Sequence, residues 1–272
     1  MTKAYEIRDR DIGGVLDEAI FLFRDNIKFI AIVAGLCIFP FVLGVDLLSF
    51  YLGLDQVTID PDSGMPPDEQ MEVIMSLWLQ AAGFGSVLNL LSLIGISIAD
   101  VAIIYGLGHR YLGREVTLGA SLRMGVRLLL KMILLGLLIG VMTTIGACMC
   151  LIPAFIVMAL FFLTPAVLVL ENSSMSDALS RSPRLVTGFV WHTIALIFVI
   201  GIIGFGIGAF AALIPSVIAL HVLYAVTQTA YIAFRSVVVV ALYFSARCRV
   251  ENLDLELMAD AVDVPPADEA VL

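Results

Sequence analysis

Four side chains able to carry charge or strong hydrogen bonds fall inside runs that are otherwise apolar: Asp46, Asn89, Asp100 and Arg235. A charge at the centre of a bilayer costs at least about 2.5–3.5 kcal/mol on insertion scales, so such a group turns inward, finds a partner or lines a solute path. Arg235 stands 12 residues before Arg247, about 18 Å up a helix at about 1.5 Å per residue. Asp100 stands 10 residues before Arg110, about 15 Å from the same face. The matched depths make Asp100 and Arg235 a candidate intramembrane ion pair, with Asp46, nearer the other face, as second choice. The competing expectation for Arg235 is snorkelling to the outer interface or contact with water in a cavity. A transporter or channel for a small solute or lipid is the function that would use these groups.

Other chemistry finds little support. His109, His192 and His221 lie at separate span ends and cannot converge on one site. Cys148 and Cys150 form a C-x-C without the second pair or histidines of a metal site, and with Cys37 and Cys248 they read as small apolar packing. There is no H-E-x-x-H, no G-x-S-x-G and no pair of carboxylates on one span, so neither enzyme chemistry nor a cofactor or metal is expected. The glycines of "LLGLLIG" and "GIIGFGIGAF" suit close helix packing. A second chemistry is lipid binding. Arg123, Arg127 and Lys131, with Arg181 and Arg184, occupy polar faces of amphipathic stretches, where each basic residue near an anionic surface contributes about 1 kcal/mol. The plainer reading is that they brace the bundle and obey the positive-inside rule.

These residues need elements to hold them, and the composition says which. Of 272 residues, 61% are hydrophobic and 14% charged, against roughly 25% charged in soluble domains. The mean hydropathy is +1.04. Residues 132–170 hold no Asp, Glu, Lys, Arg or His, and residues 185–234 no Asp, Glu, Lys or Arg. A span needs about 20 apolar residues. The chain therefore reads as an all-α polytopic membrane protein with six transmembrane helices: about 29–51, 83–108, two in a hairpin across 132–170 turning at "CMCLIPA", 190–213 and 222–245. Pro40 should kink the first. Residues 71–82 suit either an interfacial helix or part of span two. Amphipathic helices are expected at about 10–26, 116–131 (Thr117 as N-cap) and 174–189 (Ser174 and Asp177 as a capping box). Pro183 should bend the last, with Ser182 capping a new helix.

The three amphipathic stretches align, with Leu16, Leu122 and Leu179 coincident, and each precedes two spans. The expectation is three degenerate repeats of amphipathic helix plus two-helix hairpin. Fourteen of the fifteen Lys and Arg fall on one side of the spans, Arg235 excepted, which places both termini in the cytoplasm of a cell membrane. No short apolar h-region of a signal peptide is seen. The net charge of −9 sits in an acidic loop near residues 55–72 and in a tail over 259–272, expected to be disordered, beyond a single domain over 1–258. Without interleaved basic and aromatic residues, nucleic acid is excluded as a partner. Membrane lipids and another membrane or cytoplasmic protein remain as partners.

The stretches "LVLENSSMSDALSRSPRLVTGFVWHTI", "ALYFSARCRVENLDLELMAD" and "GGVLDEAIFLFRDN" together resemble the membrane domain of some glycerophosphoryl diester phosphodiesterases, a domain that also occurs alone in bacteria and archaea. The resemblance covers about residues 10–258. Its signature positions fall on Glu171, Ala178, Leu179, Arg181, Ser182, Arg184, Leu185, Gly188, Tyr243, Arg247, Arg249, Glu251, Asp254 and Leu255. Pro183, Ser245 and Asn252 depart from it. In that family the phosphodiester chemistry belongs to a separate barrel with acidic metal ligands and a histidine pair, which this chain lacks. The resemblance thus implies a membrane module without that activity: a scaffold, or a module that engages lipid or a partner.

Overall fold

The computed structural model describes residues 9–52, 67–149, 151–211 and 217–253. The described residues form helices without strands, and six helical segments are long and apolar enough to cross a membrane. The acidic loop over 53–66, Cys150 at the expected hairpin turn, Asp254, Leu255 and the tail over 259–272 lie outside the described residues.

The first unit is α1 (Ile12–Asp25), α2 (Ile27–Cys37) and α3 (Phe39–Tyr51). The Asp11 carboxylate accepts from the Gly14 N–H at 3.0 Å and caps α1. α2 and α3 make one span broken at Ile38, where Pro40 in the first turn of α3 cannot extend the hydrogen-bond ladder. α4 (Pro67–Tyr111) is a single 45-residue helix, about 67 Å long at about 1.5 Å per residue. Residues 71–82 thus run straight into span two. Its apolar crossing is Leu90–Tyr111, so the first half extends past that crossing.

α5 (Leu118–Met149) corrects one expectation. The amphipathic stretch 116–131 is not a separate surface helix but the first half of this continuous helix, capped by Thr117 through the Ala120 N–H at 3.3 Å. No glycine or proline interrupts Leu128–Leu135, so the ladder continues. The hairpin returns as α6 (Leu151–Leu160) and α7 (Thr164–Leu170), separated by a non-helical turn at residues 161–163 ahead of Pro165.

α8 (Met175–Val186) carries Pro183 inside it and is followed by the 3₁₀ turn Thr187–Phe189 and α9 (Val190–Ala211). The expected new helix capped by Ser182 is absent. The Ser182 hydroxyl instead donates to the Leu160 carbonyl at 2.7 Å, tying α8 to the end of α6. The Ser174 hydroxyl accepts from the Asp177 N–H at 3.2 Å and donates to its carboxylate at 2.6 Å. α10 (Val217–Glu251) completes the bundle.

α4 and α10 form its centre. In their apolar stretches 61% and 72% of residues are buried, against 17% for α5, so these two helices hold the interior and the rest face outward. Val237–Phe244 is buried on every side, the mark of a helix surrounded by others. α10 packs against α1, α2, α3, α4, α7, α8 and α9. The close crossings use glycines outside the expected clusters. A Cβ at Gly95 would collide with the Cys37 carbonyl and the Phe41 ring, and one at Gly125 would meet the Ile98 carbonyl at 2.6 Å. By contrast Gly136, Gly140, Gly201 and Gly206 have nothing within 4 Å of an added Cβ. Of the described glycines in the two expected packing clusters, only Gly204, against Tyr231, packs closely.

Candidate functional site

A cavity of about 530 Å³ opens among α4, α5, the α6–α7 turn, α9 and α10, within the roughly 300–1,000 Å³ typical of small-molecule pockets. Its walls are apolar: Ile96 and Ile104 of α4, Ile139 of α5, Phe161 and Phe162 at the turn, Ile200 of α9. Its polar groups gather on one side. Arg235 Nη2 donates to Asp100 Oδ2 at 2.7 Å, and the Ser236 hydroxyl donates to Asp100 Oδ1 at 2.5 Å. Both carboxylate oxygens are therefore engaged. The pair is asymmetric: both residues line the cavity, but the Asp100 side chain is 9% exposed and that of Arg235 39%. Opposite, the non-helical turn at 161–163 borders the same space. At membrane depth such a break is tolerated only where it is buried in protein or lines a cavity. Gly136 contributes open space to the α5 wall.

A second polar assembly closes the end of the bundle where the basic residues lie. Arg181 Nε approaches Glu171 Oε2 at 2.5 Å and Nη2 reaches Glu251 Oε1 at 2.8 Å. The first contact lacks hydrogen-bond alignment and is an ion pair by proximity. Arg247 Nε donates to Glu251 Oε2 at 2.8 Å, and the Tyr243 hydroxyl donates to Glu171 Oε1 at 2.9 Å. Five positions of the family-like signature, Glu171, Arg181, Tyr243, Arg247 and Glu251, thus converge from the end of α7, α8 and α10. Ala178 and Leu185 are buried beneath them, Leu179 packs on the core, and Gly188 is exposed in the 3₁₀ turn. Arg249 belongs to a neighbouring contact, with Asp9 at 2.8 Å and its guanidinium 4.9 Å from the centre of the Phe189 ring. There the Ser245 hydroxyl, where the family-like pattern has an acid, accepts the Arg10 N–H at 3.0 Å. The N-terminal segment is thereby held against the end of α10.

The expected lipid-facing cations divide. Arg123, Arg127, Lys131 and Arg184 are exposed. Arg181 is not free for lipid, since two carboxylates hold it, and its place in that group is corrected accordingly. Asp46, second choice as partner for Arg235, bonds His221 Nδ1 instead at 2.7 Å, beside the Phe50 ring. The contact joins α3 to α10. One at the end of span one and the other at the start of span six, the two are level, and that was the available signal. Ser236, adjacent to Arg235, and the Pro165 that follows the α6–α7 break carried signals of the same kind. Among the described residues no three metal-ligating side chains come together. No family model, curated protein or solved structure matches the chain.

Proposed function

We propose that the chain is a non-enzymatic multi-pass protein of the cell membrane, both termini cytoplasmic, that receives a lipid or lipid-like solute in the cavity beside Asp100 and Arg235. The observation that carries this reading is the cavity itself: about 530 Å³ of mostly apolar walls with one open-faced ion pair, between spans and beside a broken helix. Spans broken near the midplane are where membrane transporters place solute sites. The motifs over 10–258 support its being a stand-alone relative of the phosphodiesterase membrane domain. The test is native mass spectrometry of the protein extracted from membranes. Wild type should carry a lipid-sized adduct, and Gly136→Phe, whose ring enters the cavity, should lose it while staying folded. An adduct retained in that variant would place the molecule elsewhere. Orientation is checked by cysteine labelling: Ser63→Cys should react with an impermeant reagent in intact cells and Ala267→Cys should not.

A scaffold reading rests on α5, where Arg123, Arg127 and Lys131 lie exposed beside exposed Val126 and Leu130. Replacing all three by Gln should reduce co-purifying anionic lipid. Unchanged anionic lipid would end that reading.

A further inference from the structure

We propose that the ligand of this cavity is a single-chain amphiphile with an anionic head, carboxylate or phosphate monoester, and that Arg235 is the residue that receives the head. The inference rests on the cavity reading above and deepens it.

The argument runs from donors and exposure. A guanidinium has five N–H donors in a rigid fork and never loses its charge in a protein. One nitrogen of Arg235, Nη2, is bonded to Asp100, and no other partner is seen for the group among the described residues. The side chain is 39% exposed and lines the cavity. Asp100 also borders that space but is the more buried of the two, and its second oxygen is taken by Ser236. Asp100 and Ser236 therefore act as positioning residues. They hold the guanidinium at the cavity wall with donors left over for an acceptor. Asp100 balances the charge of Arg235 overall, but both of its oxygens already accept a hydrogen bond, whereas the guanidinium keeps donors unused. A carboxylate or phosphate oxygen offers arginine the two-point hydrogen bonding it favours, stronger than bonds to neutral acceptors. Tyr231, one turn earlier on α10, also lines the cavity.

The rest of the cavity fixes the remainder of the ligand. Beyond these groups and Ser97 the lining is aliphatic or aromatic, so whatever accompanies the head must be hydrocarbon. Pockets of 300–1,000 Å³ suit drug-sized molecules, and about 530 Å³ accepts one chain with a compact head.

The experiment titrates the full-length protein in neutral detergent with palmitate, hexadecyl phosphate and hexadecanol, and counts adducts by native mass spectrometry. Wild type should bind either or both anions at least about tenfold more tightly than the alcohol, about 1.4 kcal/mol per tenfold. The stronger anion identifies the head. Arg235→Gln should bring the anions down to the level of the alcohol and leave the alcohol unchanged. Should Arg235→Gln not fold because Asp100 loses its partner, the paired variant Asp100→Asn with Arg235→Gln removes both charges and gives the same comparison. Arg235→Lys should keep part of the preference. Gly136→Phe should abolish binding of all three. Equal binding of alcohol and anions by wild type, lost in Gly136→Phe, would overturn the role of Arg235 while sparing the cavity reading. Anion preference surviving Arg235→Gln would overturn it too. Failure of wild type to bind any of the three would overturn both.

Discussion

The same residue types do opposite work at two depths of this molecule. At the basic end, Arg181 touches two carboxylates, Glu251 touches two arginines, and Glu171 takes an arginine and a phenol. Three helical segments are joined there. At mid-depth, Asp100 is as fully engaged, yet its partner Arg235, which lines the cavity, keeps donors unused. Redundant pairing at a wet, salt-screened end holds segments together at little cost of desolvation. A single pair with one exposed partner, kept where charge is expensive, has no structural need to leave that side open. The contrast separates charges that bolt the bundle from charges that present themselves to a ligand.

The largest expected effect breaks the mid-depth pair. Arg235→Leu leaves the buried Asp100 with Ser236 alone, and loss of one partner of a buried pair costs about 3–5 kcal/mol. Unfolding in mixed micelles should show that loss. Swapping the two, Asp100→Arg with Arg235→Asp, should recover part of it. A double-mutant cycle without coupling would mean that Arg235 is held by something other than Asp100.

Next in size is a pair of glycines that sharpens where the space is. Gly95→Ala forces a Cβ into the Cys37 carbonyl and the Phe41 ring, and overpacking of this kind costs about 1–3 kcal/mol. Gly136→Ala meets nothing within 4 Å. It should stabilise the helix by about 0.5–1 kcal/mol, the usual gain over a mid-helix glycine. Thermal unfolding of the two variants should move in opposite directions. If Gly136→Ala destabilises as much as Gly95→Ala, that wall of the cavity is filled rather than open.

How much of this was legible beforehand follows from what each inference needed. Apolar length needs no partner, so the six spans could be read directly. Depth needs only a count from an anchored end, and counting put Asp100 and Arg235 level; the structure places them 2.7 Å apart. Rotation about each helix axis is not in the count. The cavity, the open face of Arg235 and the convergence of Glu171, Arg181 and Glu251 depend on that rotation and on how α4 and α10 cross their neighbours. The signature residues are separate positions in the sequence, and nothing in their spacing brings Glu171 to Tyr243 across 72 positions. The glycine clusters misled for the same reason: composition marks where close approach is possible, and only the crossing decides where it happens. Ser182 starts no new helix because α8 runs on through Pro183 to Val186 and gives way to a 3₁₀ turn at Thr187.

A third test breaks the bolt. Arg181→Ala takes the shared cation from Glu171 and Glu251, which are a fifth to a quarter exposed. Exposed pairs contribute about 0–1 kcal/mol each, and the network raises the expected loss to about 1–2 kcal/mol. Amphiphile binding at the mid-depth cavity should be unchanged. If Arg181→Ala abolishes that binding while the protein stays folded, the two regions are coupled and the division between bolt and site fails.

The smallest effect comes from the arginine next along α8. Arg184 lies three residues after Arg181 on the same helix, and from the sequence the two were equivalent. In the structure Arg181 is clamped between Glu171 and Glu251 while Arg184 is exposed. An exposed side chain with no structural contact to lose changes stability by no more than about 0.5 kcal/mol when replaced. Arg184→Gln should therefore unfold within that margin of wild type, well apart from Arg181→Ala. If Arg184 instead meets lipid phosphates, the variant should lose up to about 1 kcal/mol of affinity for an anionic surface, the usual contribution of one basic residue. That loss should appear as less anionic lipid co-purifying in low salt and shrink as salt is raised, because an exposed charge is screened within about 10 Å at 0.1 M. A salt-independent loss of anionic lipid would point to a desolvated contact at Arg184 and move it from the exposed group to the bolted one. A loss of stability equal to that of Arg181→Ala would do the same, and would leave the exposed strip of α5 as the stronger candidate to meet a membrane surface.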